Sequence, residues 1–270
     1  MVPIRVEEKT ITVNCNDYLV EILMFGDWKA KRLVGFSQGF LAHPIFYKEF
    51  LEGIAKNDAL VVAPNVNGVK IKNYDNGNFK SCQEMVGNSL EFFLKGSLFD
   101  KGYDLLIGHS TGAASVQSER IEYPKTVLIN PLMPVDYNPG GFCSKAIRIG
   151  FNQFISGNIK AVKHLFSPEV KAFYAMKGLT NLTKNLALVR DFSNNGSLDY
   201  FYPKKENIEA LILYGGNLEE ERDEFFDFGR NKDKLKSHFR TLGLQGIKGG
   251  HEELMYNSSF FLKKTLEFLG

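Results

Sequence analysis

The chain has few of the residues that would staple, anchor or stiffen it: among 270 residues there are one Trp, nine Pro and three Cys. Cys15, Cys82 and Cys143 lie far apart, in no metal or redox spacing, and an odd count excludes a complete disulfide framework, so a reducing, cytoplasmic setting is expected. No apolar run approaches the ~18 residues of a membrane span. The first eight residues lack a basic stretch followed by an apolar one, so neither an export signal nor a membrane anchor is expected. Charge of one sign is missing too. Lys and Arg number 33 against 31 Asp and Glu, a net of +2, and basic clusters stay as short as Lys29-Ala30-Lys31-Arg32, which argues against nucleic acid as a partner. Internal repeats and low-complexity tracts are absent. The expected partner is a small molecule, and the sequence does not address the oligomeric state.

What is present is apolar mass: 44% hydrophobic residues with 23 Phe, enough to fill the core of one large α/β domain. Residues 10–13 and 18–25 read as an opening hairpin around the turn-forming Asn14-Cys15-Asn16-Asp17. Strands follow at 32–36, at 59–63, in the run ending at Ser110, and at 126–130. A helix opened by Pro44 runs to about 55, and one capped by Ser81 runs to about 94. These strands are apolar throughout instead of alternating, which implies an α/β fold: a mainly parallel central sheet flanked by helices on both faces. Residues 64–77 are too punctuated by Asn, Gly and Asp for a regular element. Between 132 and 207 the rhythm breaks into helical pieces at 143–155, 159–166, 169–177 and 179–192 with no strand. That segment is expected to be a helical cap inserted after the sixth strand, with the core formed by 1–131 and 208–270. The sheet resumes at 208–214, a charged helical stretch occupies 219–236, a last strand 239–247, and a terminal helix 252–269.

The run Leu105-Leu106-Ile107 stops at Gly108-His109-Ser110-Thr111-Gly112, and small helix-compatible residues follow. Ser in such a strand–turn–helix takes a strained backbone, and Gly108 and Gly112 remove side chains that would clash where strand and helix cross. Its hydroxyl then stands exposed at the strand's carboxyl end, beside unpaired N–H groups and the positive dipole end of the next helix. A Ser hydroxyl is a poor nucleophile at neutral pH and needs a base that an anion orients. Of the five His, His251 follows two glycines after the last strand, on the same sheet edge as Ser110. His109 reads as pointing into the protein beside the sheet, His43 as a pocket-lining or loop residue, and His164 and His238 as surface residues. No spacing among them suits a metal, and no cofactor is expected.

Gly108–Gly112 resembles the nucleophile elbow of the α/β-hydrolase family. Phe36-Ser37-Gln38-Gly39-Phe40 resembles that family's His-Gly-Phe segment after the third strand, and Gly215-Gly216-Asn217-Leu218-Glu219 its Gly-x-x-Asp turn after the seventh. With Gly250-His251 these landmarks span nearly the whole chain, in the family's order of Ser, acid and His. The resemblance implies an α/β-hydrolase fold and a serine esterase, lipase or thioesterase-like reaction. Ser110 is the implied nucleophile, His251 the base and Glu219 the acid, with Phe40 and Thr111 giving backbone N–H groups to the oxyanion. The acid stays open: Glu220, Glu221 and Asp223 crowd the same segment, and Asp136 follows the strand after the elbow. Asn65 stands where many relatives carry Asp, so an interaction needing a carboxylate there is expected to be missing. Aromatic residues of the cap, among them Phe151, Phe154 and Phe173, suggest a hydrophobic acyl or aromatic group. Ser110 argues against the carboxylate-nucleophile chemistry of epoxide and haloalkane hydrolases. Acyl transfer to an alcohol or amine, and ligand binding without turnover, are the alternatives.

Overall fold

A computed structural model describes residues 7–15, 18–39, 42–71, 79–95, 102–117, 121–133, 168, 197–216, 218, 228–251 and 253–270. The hairpin forms as expected from its β-branched and aromatic runs, as β1 (Glu8–Cys15) and β2 (Tyr18–Phe25). Then come β3 (Arg32–Ser37), a 3₁₀ turn (Pro44–Tyr47) leading into α1 (Lys48–Ala55), β4 (Ala59–Ile71) and α2 (Phe79–Lys95). They are followed by β5 (Leu105–His109), α3 (Thr111–Ser115), β6 (Lys125–Ile129) and α4 (Leu198–Phe201). The chain closes with β7 (Lys205–Gly215), α5 (Phe228–Lys236), β8 (Phe239–Ile247), α6 (Glu253–Tyr256) and α7 (Ser259–Leu269).

One eight-stranded sheet results, in the order β1-β2-β4-β3-β5-β6-β7-β8. β2 runs antiparallel to its two neighbours, and every pairing from β4 across to β8 is parallel. The apolar runs are buried on both faces because successive side chains feed opposite layers. Leu33, Leu60, Leu106, Leu128 and Ile212 pack with residues of α2, α3, α4 and α5, while Val34, Val61, Ile107, Ile129 and Leu213 pack with α1, α6 and α7. All six parallel strands therefore point their carboxyl ends to one edge, where the loops carrying Ser110 and His251 meet.

Three elements differ from expectation. α2 begins at Phe79, so Ser81, expected to cap it, lies inside its first turn. β4 continues to Ile71 through the segment read as irregular. Its partner there is β2, distant in sequence, with Glu21 opposite Asn65 and Tyr18 opposite Ile71. β3 pairs only as far as Val62, so Pro64 sits where one side of β4 has no such partner and its missing N–H is tolerated. The terminal helix is broken at Asn257: α6 packs near the 3₁₀ turn while α7 lies against α1, with Leu262 so close to Gly53 that a Cβ there would overlap it.

The expected helical pieces at 143–155, 159–166, 169–177 and 179–192 lie outside the described residues. On the return from that segment, Ser197 caps α4 by accepting the Tyr200 N–H, and Tyr202 donates its O–H to the Leu132 carbonyl at 2.8 Å. Among the described residues no helix is long and apolar enough to cross a membrane, and no three His, Cys, Asp or Glu side chains group to hold a metal ion.

Candidate active site

Ser110 begins the turn after β5 with φ 54° and ψ −120°, a left-sided backbone that a non-glycine residue adopts only under constraint. The constraint is visible on both sides of it. Ser110 N–H donates to the Ile129 carbonyl at 2.9 Å, and the Ser110 carbonyl accepts from Leu132 N–H at 3.2 Å and Ala113 N–H at 3.1 Å. A Cβ on Gly108 would fall within 3.0 Å of Ala113 backbone atoms, and one on Gly112 within 3.0 Å of the Ser37 and Gln38 carbonyl oxygens. The two glycines thus let β5, α3 and the end of β3 touch. α3 is only five residues long, so its dipole is small and the local N–H groups, that of Thr111 first among them, are what it contributes.

His251 reaches the same point from the loop after β8. Its Nε2 lies at hydrogen-bond distance, 2.9 Å, from the Ser110 hydroxyl oxygen, and the residue is 3% exposed. Asn130, at the end of β6 with φ 43°, holds this loop from beneath: its Nδ2 donates to the His251 carbonyl at 2.5 Å and its Oδ1 accepts the Gly215 N–H at 2.8 Å. A Cβ on Gly215 would press into the Gly250 carbonyl, so the ends of β7 and of the His251 loop are in backbone contact. Phe40, Glu219, Glu220, Glu221, Asp223, Asp136 and His164 lie outside the described residues.

No family model matches the sequence. No curated relative matches it either. Solved structures do match along its full length. The 2-hydroxy-6-oxo-6-phenylhexa-2,4-dienoate hydrolase of Rhodococcus sp. strain RHA1 superposes with a TM-score of 0.70 at 14% identity, over 98% of this chain and 100% of that one. A thioesterase domain of the curacin biosynthetic pathway superposes at 0.58 and 14%, over 97% of this chain and 99% of that one. An epoxide hydrolase superposes at 0.65 and 13%, over 97% and 98%. The chain has the α/β-hydrolase fold. Because such a fold hosts several chemistries, the reaction has to be argued from the site itself.

Behind the α/β-hydrolase elbow, His109 is fully buried and spends both ring nitrogens. Nε2 faces the His251 carbonyl at 3.1 Å and must carry a hydrogen, so Nδ1 is the acceptor for the Tyr47 hydroxyl at 2.9 Å. Tyr47 Oη in turn accepts the Gly39 N–H at 3.1 Å. Burial, and after it the neighbouring His251, push His109 down from 6.5 to about 3, while the hydrogen bond to the His251 carbonyl works the other way. The folded protein therefore keeps His109 neutral where the unfolded chain would protonate it. As pH falls from about 6.5 toward about 3, the unfolded state binds more protons and stability is lost; above about 6.5 this contribution is whole. Urea midpoints measured from about pH 7.5 down to about pH 4.5 should fall more steeply for the wild type than for His109→Gln, and parallel curves would refute a buried neutral imidazole.

His43 does not extend freely into the site. Its Nδ1 accepts the Ile45 N–H at 3.1 Å, capping the 3₁₀ turn, and its Nε2–H points to Glu21 Oε2 at 3.2 Å. Asn65 Nδ2 donates to the same oxygen at 2.7 Å. Asn65 thus meets a carboxylate from Glu21, the residue across the β2–β4 pair. His238, read as a surface residue, is 1% exposed: Nδ1–H donates to the Tyr202 carbonyl at 2.5 Å and Nε2 lies 3.1 Å from Asp199 Oδ1. Sequence reasoning missed Tyr47, Asn130 and Glu21. Asn130 carried a faint signal, as a polar residue closing an apolar strand; the other two carried none, because their partners are distant in sequence.

Proposed function

We propose that the protein is a serine hydrolase of carboxylic esters or thioesters, working through an acyl-enzyme. The reading is carried by one observation: a 2.9 Å contact from His251 Nε2 to the hydroxyl of a serine held at φ 54° on an elbow. As Ser110 Oγ bonds to the substrate carbonyl carbon, His251 takes its proton, and the carbonyl π electrons move onto oxygen to form the oxyanion. Collapse of that intermediate breaks the bond to the alcohol or thiol, which leaves with the proton from His251. Water then attacks the acyl-serine, giving a proton to His251 and regenerating the Ser110 hydroxyl as the acid departs. Thr111 and Phe40 supply the oxyanion N–H groups in this reading; that the Gly39 N–H is already committed to Tyr47 supports a donor further along that loop. Glu219 orients His251, the segment 132–207 caps the site and admits a hydrophobic acyl or aromatic group, and the enzyme works in the cytoplasm.

A series of p-nitrophenyl esters and matching thioesters of increasing acyl length tests this on the purified protein. Turnover with an optimum beyond acetyl is expected, and none across the series would sink the proposal. For the acid, Glu219→Gln should lower kcat by about 1,000-fold or more, with Asp136→Asn close to wild type. The reverse order would move the acid to Asp136.

A further inference from the structure

Resting on that reading of His251 as the base, we infer that His109 and Tyr47 are positioning residues, a hydrogen-bonded relay that sets the oxyanion loop and the base loop in register from behind Ser110. The relay has a single direction. The His251 carbonyl can only accept, so His109 Nε2 carries the hydrogen; Nδ1 can then only accept, so Tyr47 donates; and the Tyr47 oxygen is left to accept the Gly39 N–H. With the His109 ring neutral, no other arrangement of protons satisfies all three bonds, and every member is buried. Its two ends are the two loops a hydrolytic serine needs. Gly39 precedes Phe40 and is packed so tightly that a Cβ on it would lie 2.9 Å from His109 Nδ1 and 3.1 Å from Ser110 Cβ. At the other end, His109 and Asn130 grip the same carbonyl of His251, fixing the backbone from which the imidazole reaches Ser110. The Tyr47 ring is itself set by Phe36 of β3, 4.9 Å between centroids, and meets His109 edge-on at 5.4 Å. A residue placed only for packing would need none of these proton positions; isosteric apolar side chains would serve.

The test separates geometry from stability by counting active serines. Wild type, Tyr47→Phe, His109→Leu and His109→Gln are titrated with a fluorophosphonate, melted, and assayed on p-nitrophenyl acetate, with kcat expressed per titrated serine. Tyr47→Phe keeps the ring and loses only the hydroxyl; kcat should fall about ten-fold with KM within about two-fold, the loss expected from one misset hydrogen bond. His109→Leu should lose about 100-fold, as a displacement of about 1 Å at the base would give. Gln offers one donor and one acceptor in place of the two nitrogens, so His109→Gln should recover to within about five-fold of wild type. The relay is overturned if Tyr47→Phe and His109→Leu both keep kcat per serine within about two-fold, or if Gln does no better than Leu. Failure of the hydrolase reading looks different: the wild-type protein would neither be labelled at Ser110 nor turn over ester.

Discussion

Ser110→Ala is expected to lower ester turnover by about 10⁵-fold and to abolish fluorophosphonate labelling, leaving only what substrate binding and the oxyanion N–H groups provide. The size of the loss follows from the role of Oγ in the proposed reaction: it makes the bond to carbon, and it is the hydroxyl that lies 2.9 Å from His251 Nε2. Stability should move differently. At φ 54° and ψ −120° a Cβ is strained whether it belongs to Ser or Ala, so Ser110→Ala relieves nothing and loses one buried hydrogen bond. Ser110→Gly removes the strain, worth about 1–3 kcal/mol, against about 0.5–1 kcal/mol for the added freedom of the unfolded chain. The glycine variant should therefore be inactive and unfold at higher urea than the alanine variant. If alanine and glycine behave alike in urea, the elbow is not strained; if Ser110→Ala retains labelling, the nucleophile lies elsewhere.

The second large effect is at Gly112, where Ala should destabilise the fold by about 3 kcal/mol or more and cut activity by about 100-fold. Replacing Gly by Ala inside a helix ordinarily gains about 0.5–1 kcal/mol. Here the new methyl would fall within 3.0 Å of the Ser37 and Gln38 carbonyl oxygens, which are backbone and cannot rotate away. Overpacking outweighs propensity, and the relief is to push α3 from the end of β3, separating Thr111 from the loop that follows β3. Gly243→Ala is the control: in β8 its methyl would meet only the Leu211 Cδ1, at 3.0 Å, a side-chain tip that can yield. A Gly112→Ala protein with wild-type urea midpoint and kcat would mean that β3 and α3 are not in the contact described.

Much of the fold was legible because strand positions follow local apolar runs. β2 and β8 begin and end where the sequence changes character, and the elbow announces itself through two glycines flanking a serine within five residues. The failures share a cause. β4 runs on past Pro64 because β2, more than 40 residues earlier, offers it a ladder, with Glu21 opposite Asn65. His238 is buried because the segment returning into β7 lays the Tyr202 carbonyl and Asp199 against it. The Glu21 carboxylate reaches Asn65 and His43 from a neighbouring strand, a contact that no local pattern announces.

The sequence by itself determined the layering of helices on a parallel sheet and the placement of Ser110 and His251 on turns at its carboxyl edge, because periodicity and glycine spacing act over a few residues. Only the tertiary structure decided that the Ser110 hydroxyl meets His251 Nε2, and that His109, apparently a flanking residue of the motif, binds Tyr47 on one side and the His251 backbone on the other. Hydrogen bonds of that kind depend on distances of a few tenths of an ångström between loops from different strands, and packing of the whole sheet sets those distances.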